Sequence, residues 1–259
     1  MSDVTTIGPT WGSGPVRAVF TLRGGGVSVA PFESLNLGSH VEDSADAVAE
    51  NRQRVRNRVG LREEPVWLQQ VHGTSVVEIG DPARAPVVGG ATGAADAPVA
   101  DAAVTRDASV ACAILVADCI PVLFASHDGA VVGAAHAGWR GLAGGVLENT
   151  VSEMRRLGAE PSKLSAWLGP GIGPRHFEVG GEVREAFLGG DAGAADAFVP
   201  NARGKWLCDL AALARRRLTR VGIRDVSGGE FCTYDDRDRF YSYRRDGRCG
   251  RMAALIWRE

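Results

Sequence analysis

A single domain of the α/β or α+β class is what the sequence predicts, on three observations. Helical and strand-like hydrophobic periods alternate along the chain, no Pro- or Ser-rich linker divides it, and 259 residues suffice for one large core. With 45% hydrophobic and 23% charged residues the composition is that of an ordinary globular chain, which excludes disordered, collagen-like and fibrous classes. A net charge of -2 offers no electrostatic footprint for nucleic acid or an anionic membrane. The opening "MSDVTTIGPTWGSG" has no basic segment leading into an apolar one, and no run approaches the roughly 18 apolar residues of a membrane span, so a cytoplasmic location is expected. Five cysteines, at 112, 119, 208, 232 and 249, show no CxxC spacing and fit free thiols better than a disulfide framework.

Taken in order, residues 44–59 place Val48, Val55 and Val59 at helical spacing, with Ser44 as N-cap and Gly60 as stop. "PVWLQQVHG" (65–73) reads as a strand running out at His72 and Gly73. The apolar stretch 109–126 is too rich in β-branched residues, and too interrupted by Asp118 and Pro121, to be one helix; it reads as two buried strands broken at Asp118, Cys119 and Ile120. "AVVGAAHA" (130–137) is a further buried strand, followed by a helix beginning near Gly141 and carrying Leu142, Val146, Leu147, Val151, Met154 and Leu157 on one face as far as Gly158. "LSAWLGP" (164–170) reads as a strand, "GEVREAFLGG" (181–190) as a short helix, "CDLAALARRRLTRVG" (208–222) as an amphipathic helix and "GRMAALIWRE" (250–259) as a last strand. The Gly/Ala-rich stretches 89–102 and 189–198 read as loops.

Three metal-capable side chains, His72, Cys119 and His136, fall at ends or breaks of these strands. Strand ends on one rim of a sheet can converge, and zinc accepts two imidazoles and one thiolate while keeping a fourth position open for water or substrate. The bland alternative is that each histidine is a hydrogen-bonded core residue and the cysteine a small hydrophobe, since spacings of 47 and 17 residues match no compact metal motif. His40, His127 and His176 lie in loop-like contexts and read as surface residues, and Cys112 reads as core packing. In "HAGWRG" (136–141) the glycines and a helix start could admit an anion, with Arg140 as a bidentate phosphate donor. Equally, they could serve only a tight strand-to-helix turn with Trp139 filling a gap. "FYSYRRDGRCGR" (240–251) sets basic residues beside aromatics, suited to a nucleobase or phosphate but also common in solvated loops. "GPGIGP" (169–174) is too Pro-interrupted for a dinucleotide fingerprint, no P-loop is present, and the zinc-deaminase signature H-x-E with P-C-x-x-C is absent.

Together, "GGVS", "SLNLGSHV", "WLQQVHG", "ADCIPVLF", "HAGWRG", "WLGPGIGP", "FEVG", "CTY", "YSYRRDG" and "GRMAALIW" resemble, in order, the YfiH family, also called the laccase-domain, multicopper polyphenol oxidase or DUF152 family. The resemblance covers roughly residues 17–257 and implies an N-terminal segment 1–16 ahead of one catalytic domain, 17–259. It implies two packed mixed β-sheets flanked by helices, a fold also described as cysteine-hydrolase-like. It implies His72, Cys119 and His136 as ligands to zinc, or to copper. The implied activities are phosphorolysis of adenosine, inosine, guanosine and methylthioadenosine to base plus sugar 1-phosphate, together with adenosine deamination. Alternatives carried by the same family are a cytoplasmic cysteine amidase that edits peptidoglycan precursors, with Cys119 as nucleophile, and a copper-dependent polyphenol oxidase. Beside the catalytic set His72, Cys119, His136 and Arg140, the motifs nominate Asn36, Gln70, Asp118, Ser242, Arg244 and Arg245 for substrate binding, with Asp118 or Asp246 as a proton carrier in deamination. The chain departs from the family in its Gly/Ala-rich insertions, in Glu42 where Gly is frequent, and in Cys249.

Overall fold

The computed structural model describes residues 3–11, 14–80 and 97–259. In chain order the strands are β1 Thr6–Ile7, β2 Val16–Thr21, β3 Val76–Glu78, β4 Ala102–Thr105, β5 Cys112–Val116, β6 Ile120–Ser126, β7 Val132–Ala137, β8 Leu164–Leu168, β9 Glu178–Val179, β10 Phe198–Pro200, β11 Trp206–Cys208, β12 Asp225–Gly228 and β13 Met252–Arg258. The helices are α1 Ala45–Val59, α2 Trp139–Gly144, α3 Val146–Arg156, α4 Gly181–Leu188, α5 Leu210–Arg220 and α6 Tyr243–Asp246. An antiparallel sheet of order β1-β2-β13-β5 faces a mixed sheet of order β12-β8-β6-β7-β4-β3, whose β12/β8 and β3/β4 pairs are parallel. A small antiparallel sheet, β10-β11-β9, completes the molecule. The expectation of two mixed sheets is thus corrected: three sheets are present among the described residues, and only the six-stranded one is mixed.

The period of two along each strand sorts residues into layers. Met252, Ala254 and Ile256 of β13 and Cys112, Ile114 and Val116 of β5 meet Leu123 and Ala125 of β6 and Val132 and Ala134 of β7 between the two large sheets. The alternate residues, Ala113, Leu115, Ala253 and Leu255, pack under α1 through Val55. On its other face the six-stranded sheet presents Val122, Phe124, Ala135 and Ala137 to Leu142, Leu147, Met154 and Leu213 of the helices. The order is therefore helix, sheet, sheet, helices, an α/β arrangement, and among the described residues no helix is long and apolar enough to cross a membrane.

The two strands expected over 109–126 are β5 and β6, but the break between them moves the chain from one sheet to the other. Residues 65–73 form no ladder strand, only isolated bridges at Val66↔Cys112 and Gln69↔Val99. Here a side chain replaces the ladder: the Gln70 amide donates to the Leu115 carbonyl (2.8 Å) and accepts from the Leu115 N–H (2.8 Å). The long helix expected after His136 starts earlier, at Trp139, and is two helices, because Gly145 adopts φ 101°, a value an L side chain resists. Of the stretches read as loops, 192–197 is a 3-10 turn leading into β10, and 102 begins β4; residues 89–96 lie outside the described residues.

Candidate metal centre

His136 sits at the penultimate position of β7 opposite Pro121 of β6, and shares the inter-sheet parity of Val132 and Ala134. Cys119 immediately precedes β6, so both side chains emerge on one rim of the inter-sheet layer. His72 arrives from a turn rather than a strand end. Its φ of 60° is left-handed, unusual for a non-glycine residue, and bends the 71–73 backbone toward β4. The ligand atoms of His72, Cys119 and His136 lie within 4.8 Å of one another. Cys119 Sγ is 3.8 Å from His72 Nε2, and the two imidazoles meet edge to face with centroids 4.7 Å apart. Two ligands at 2.0–2.3 Å from a tetrahedral ion stand about 3.5 Å apart, so the cluster is nearly at coordinating separation.

Behind the histidines lies Asp101, which is fully buried. The His136 Nδ1–H donates to its Oδ1 (2.8 Å), which leaves Nε2 for a metal. The N–H groups of His72 (2.9 Å), Val71 (3.2 Å) and Gly73 (2.7 Å) converge on the same carboxylate. Burial opposes its ionisation, but the hydrogen bonds from His136, Gly73 and Val71 prevail and hold the carboxyl below its ordinary range. Sequence reasoning missed Asp101, because the segment before it is an Ala-rich run without periodicity.

Burial likewise opposes a Cys119 thiolate, yet the charge and hydrogen bond of His136, aided by His72, bring the thiol down to about 6. His136 responds in kind: burial works against its charge, while Cys119 and Asp101 push it up to about 9. A thiolate already formed near neutrality, a buried imidazole held through Nδ1 by a carboxylate, and a second, exposed imidazole make a donor set that fits zinc with an open position. The same set also takes copper.

Asp118, one residue before Cys119, has φ 100° and is buried. Its carboxylate accepts from Thr233 Oγ1 (2.6 Å) and from the Arg244 N–H (2.7 Å), so it latches the cysteine to the 242–246 arm rather than standing ready as a proton carrier. Asp246 is paired with Arg245 (2.7 Å). The Arg245 side chain is largely enclosed and donates to the carbonyls of Thr233, Tyr234 and Phe240. Asn36 holds Gly38, Asp43 and Arg251, Gln70 holds Leu115, and Ser242 caps α6. Of the six nominated substrate residues, five, Asp118, Arg245, Asn36, Gln70 and Ser242, therefore have structural work inside the protein. Arg140 and Arg244 are exposed, Arg140 over the Trp139 ring (4.5 Å) and Arg244 over Phe177 (5.1 Å) with a bond to the Glu178 carbonyl (3.1 Å). Since α2 is only six residues long, any anion binding rests on Arg140 rather than on a long helix's dipole. His40 and His127 are exposed as expected. His176 is not a bare surface residue: it bonds Asp235 (2.6 Å) and stacks on Tyr234 at 4.1 Å. Cys112 is core, as expected.

The family model for multi-copper polyphenol oxidoreductase laccase matches residues 17–259. A Pseudomonas aeruginosa protein named purine nucleoside phosphorylase is 53% identical over 243 residues, covering 93% of each chain. The Escherichia coli strain K12 protein named purine nucleoside phosphorylase YfiH is 48% identical with the same coverage. Among solved structures, a Neisseria meningitidis protein described under DUF152 superposes with TM-score 0.89 at 46% identity over 100% of both chains. YlmD from Geobacillus stearothermophilus gives 0.86 at 30% identity, over 98% of this chain and 100% of that one.

Proposed function

The chain belongs to the multi-copper polyphenol oxidoreductase laccase family, and on that premise we propose that it is a cytoplasmic, zinc-dependent purine nucleoside phosphorylase. Its substrates are adenosine, inosine, guanosine and methylthioadenosine, with adenosine deamination as a second activity. The observation that carries this reading is the half-open cluster His72, Cys119 and His136, four residues from the exposed Arg140, in a chain whose relatives bear the phosphorylase name.

In phosphorolysis a phosphate oxygen bonds to the anomeric carbon as that carbon's bond to the purine nitrogen breaks. The electron pair leaves with the base, and the proton given up by phosphate ends on a base nitrogen. Arg140 and Arg244 are the cations we assign to phosphate, Arg140 as the bidentate partner. Zinc, when bound, supplies positive charge where negative charge develops. His72, on the exposed side, faces substrate, while Asp101 keeps His136 in the right tautomer and Asp118 holds Cys119 in place. Deamination replaces the C6 amino group by a water oxygen, one of the water's protons leaving with ammonia and the other ending on the ring nitrogen N1.

The test is ribose 1-phosphate release from adenosine by zinc-loaded protein. Arg140→Ala and Arg244→Ala should each raise KM for phosphate about 10- to 100-fold, the worth of a charge-assisted hydrogen bond. Absence of any phosphate-dependent product removes the reading.

A second reading is favoured by one observation: Cys119, His136 and Asp101 also form a nucleophile, base and orienting carboxylate in sequence, as a cysteine amidase acting on peptidoglycan precursors requires. Polyphenol oxidation by several copper centres calls for more histidine ligands than the one cluster of three found among the described residues.

A further inference from the structure

We infer that Asp101 is the positioning residue of the metal centre, the single side chain that sets both imidazole ligands at once. It stands directly before β4, where Ala102 pairs with Ala135 of β7, so its backbone lies beside that of His136. The His136 N–H donates to the Asp101 carbonyl at 2.7 Å, and the His136 ring donates to the Asp101 carboxylate at 2.8 Å. Backbone and side chain thus grip the same ligand. From the other side, three consecutive N–H groups of Val71, His72 and Gly73 close around the carboxylate as an anion nest. The nest requires His72 at φ 60°, and no glycine is there to take that conformation without strain. A buried anion receiving four donors holds the strained turn in place, and with it the direction of the His72 ring.

The arithmetic of donors explains why a carboxylate is needed. Four N–H groups point at two oxygens, and neither oxygen has a proton to offer. An amide of the same shape has one acceptor oxygen and turns an NH2 toward donors. It can keep the pair from the His136 ring and the His72 N–H, which share one oxygen, or the pair from the Val71 and Gly73 N–H groups, which share the other, but not both. A carboxylate that served only to tie a loop would leave the ring free to choose its tautomer; this one fixes the proton on Nδ1 and presents Nε2. The inference rests on the metal reading and not on the identity of the substrate.

The experiment compares zinc affinity, by competition with a chromophoric chelator, for the full chain, Asp101→Asn and Asp107→Asn. Asp107 lies just past the other end of β4, where it caps Ser109, and controls for general loosening of that strand. Asp101→Asn should raise the zinc dissociation constant about 10- to 100-fold, and Asp107→Asn should leave it unchanged. In the same series, 15N spectra of the zinc-loaded, unsubstituted chain should show His136 protonated on Nδ1 and ligating through Nε2, a readout that stands even if Asp101→Asn fails to fold. A folded Asp101→Asn with zinc affinity within twofold of the unsubstituted chain overturns the inference and leaves the metal reading intact, as does ligation through Nδ1. An unsubstituted chain that takes up no zinc overturns both.

Discussion

Gly138 is where a single methyl group tests the centre most severely. The residue has φ -69° and ψ 159°, an ordinary extended conformation, so alanine meets no backbone penalty. Space is the difficulty: a Cβ there would stand 2.9 Å from Cys119 Sγ and 2.9 Å from His72 Cδ2. Non-bonded carbon contacts relax at about 3.5–4.0 Å, so the two ligands together must retreat by about 0.6–1 Å. Metal–ligand distances tolerate about 0.2 Å. Gly138→Ala should therefore lower zinc affinity at least 100-fold, or about 2.7 kcal/mol. Stability of the metal-free protein should fall by only about 1–3 kcal/mol, the ordinary cost of overpacking. The assay is zinc titration against a competing chelator alongside thermal unfolding of the stripped protein. Gly181→Ala serves as control, because nothing lies within 4 Å of its added Cβ. A Gly138→Ala protein that binds zinc within twofold of the parent refutes the argument, since the ligands could not then converge beside residue 138.

Alkylation of the metal-free protein gives a pH signature. Because the Cys119 thiol is brought down to about 6 by His136 and His72, its thiolate is present above that pH and lost below it. Iodoacetamide labelling of Cys119, located by mass spectrometry, should have its midpoint near pH 6 rather than near the ordinary thiol value of about 8.5, while Cys112, pushed far up by burial, and Cys208, pushed up to about 12 by burial and Asp209, stay unlabelled in the folded chain. A midpoint near 8.5 would mean that the imidazoles do not act on the sulfur. Gln70→Ala removes both bonds to the Leu115 backbone and should cost about 1–3 kcal/mol of stability with KM for nucleoside unchanged; a tenfold rise in KM without loss of stability would return Gln70 to the substrate side.

What the sequence disclosed of the centre depended on the kind of signal each residue left. Cys119 and His136 end apolar β-branched runs, and such runs betray buried strands, so their placement on a common rim was legible. His72 was found on a partly mistaken ground: its segment looks like a strand because Val66, Trp67 and Leu68 are apolar, but Gln70 takes over the pairing and the histidine is set by a left-handed turn. Asp101 left no signal at all. Its partners lie 28 to 35 residues away, and nothing within its own Ala-rich segment requires a carboxylate. His176 was illegible for the same reason, since Asp235 is 59 residues distant. The break at Gly145 was hidden because Leu142 and Leu147, on either side of it, bury into the same cluster and so preserve the helical period across it.

The two chemical readings place opposite demands on one sulfur, and zinc removal separates them. A thiolate that ligates zinc has committed its lone pair and is a poor nucleophile; a thiolate that attacks an amide must be uncomplexed. With zinc at 100 times its dissociation constant, about 1% of chains keep a free sulfur. An amidase turnover would then run at about one hundredth of its metal-free rate, whereas phosphate-dependent nucleoside cleavage would be near its maximum. Stripping with a chelator should accordingly abolish ribose 1-phosphate release, and restoring zinc should recover it along the same curve that protects Cys119 from iodoacetamide. If stripping instead leaves ribose 1-phosphate release intact and raises hydrolysis of a peptidoglycan-precursor amide, the cluster is a catalytic Cys119, His136 and Asp101 chain that zinc inhibits, and the metal-dependent phosphorylase is refuted.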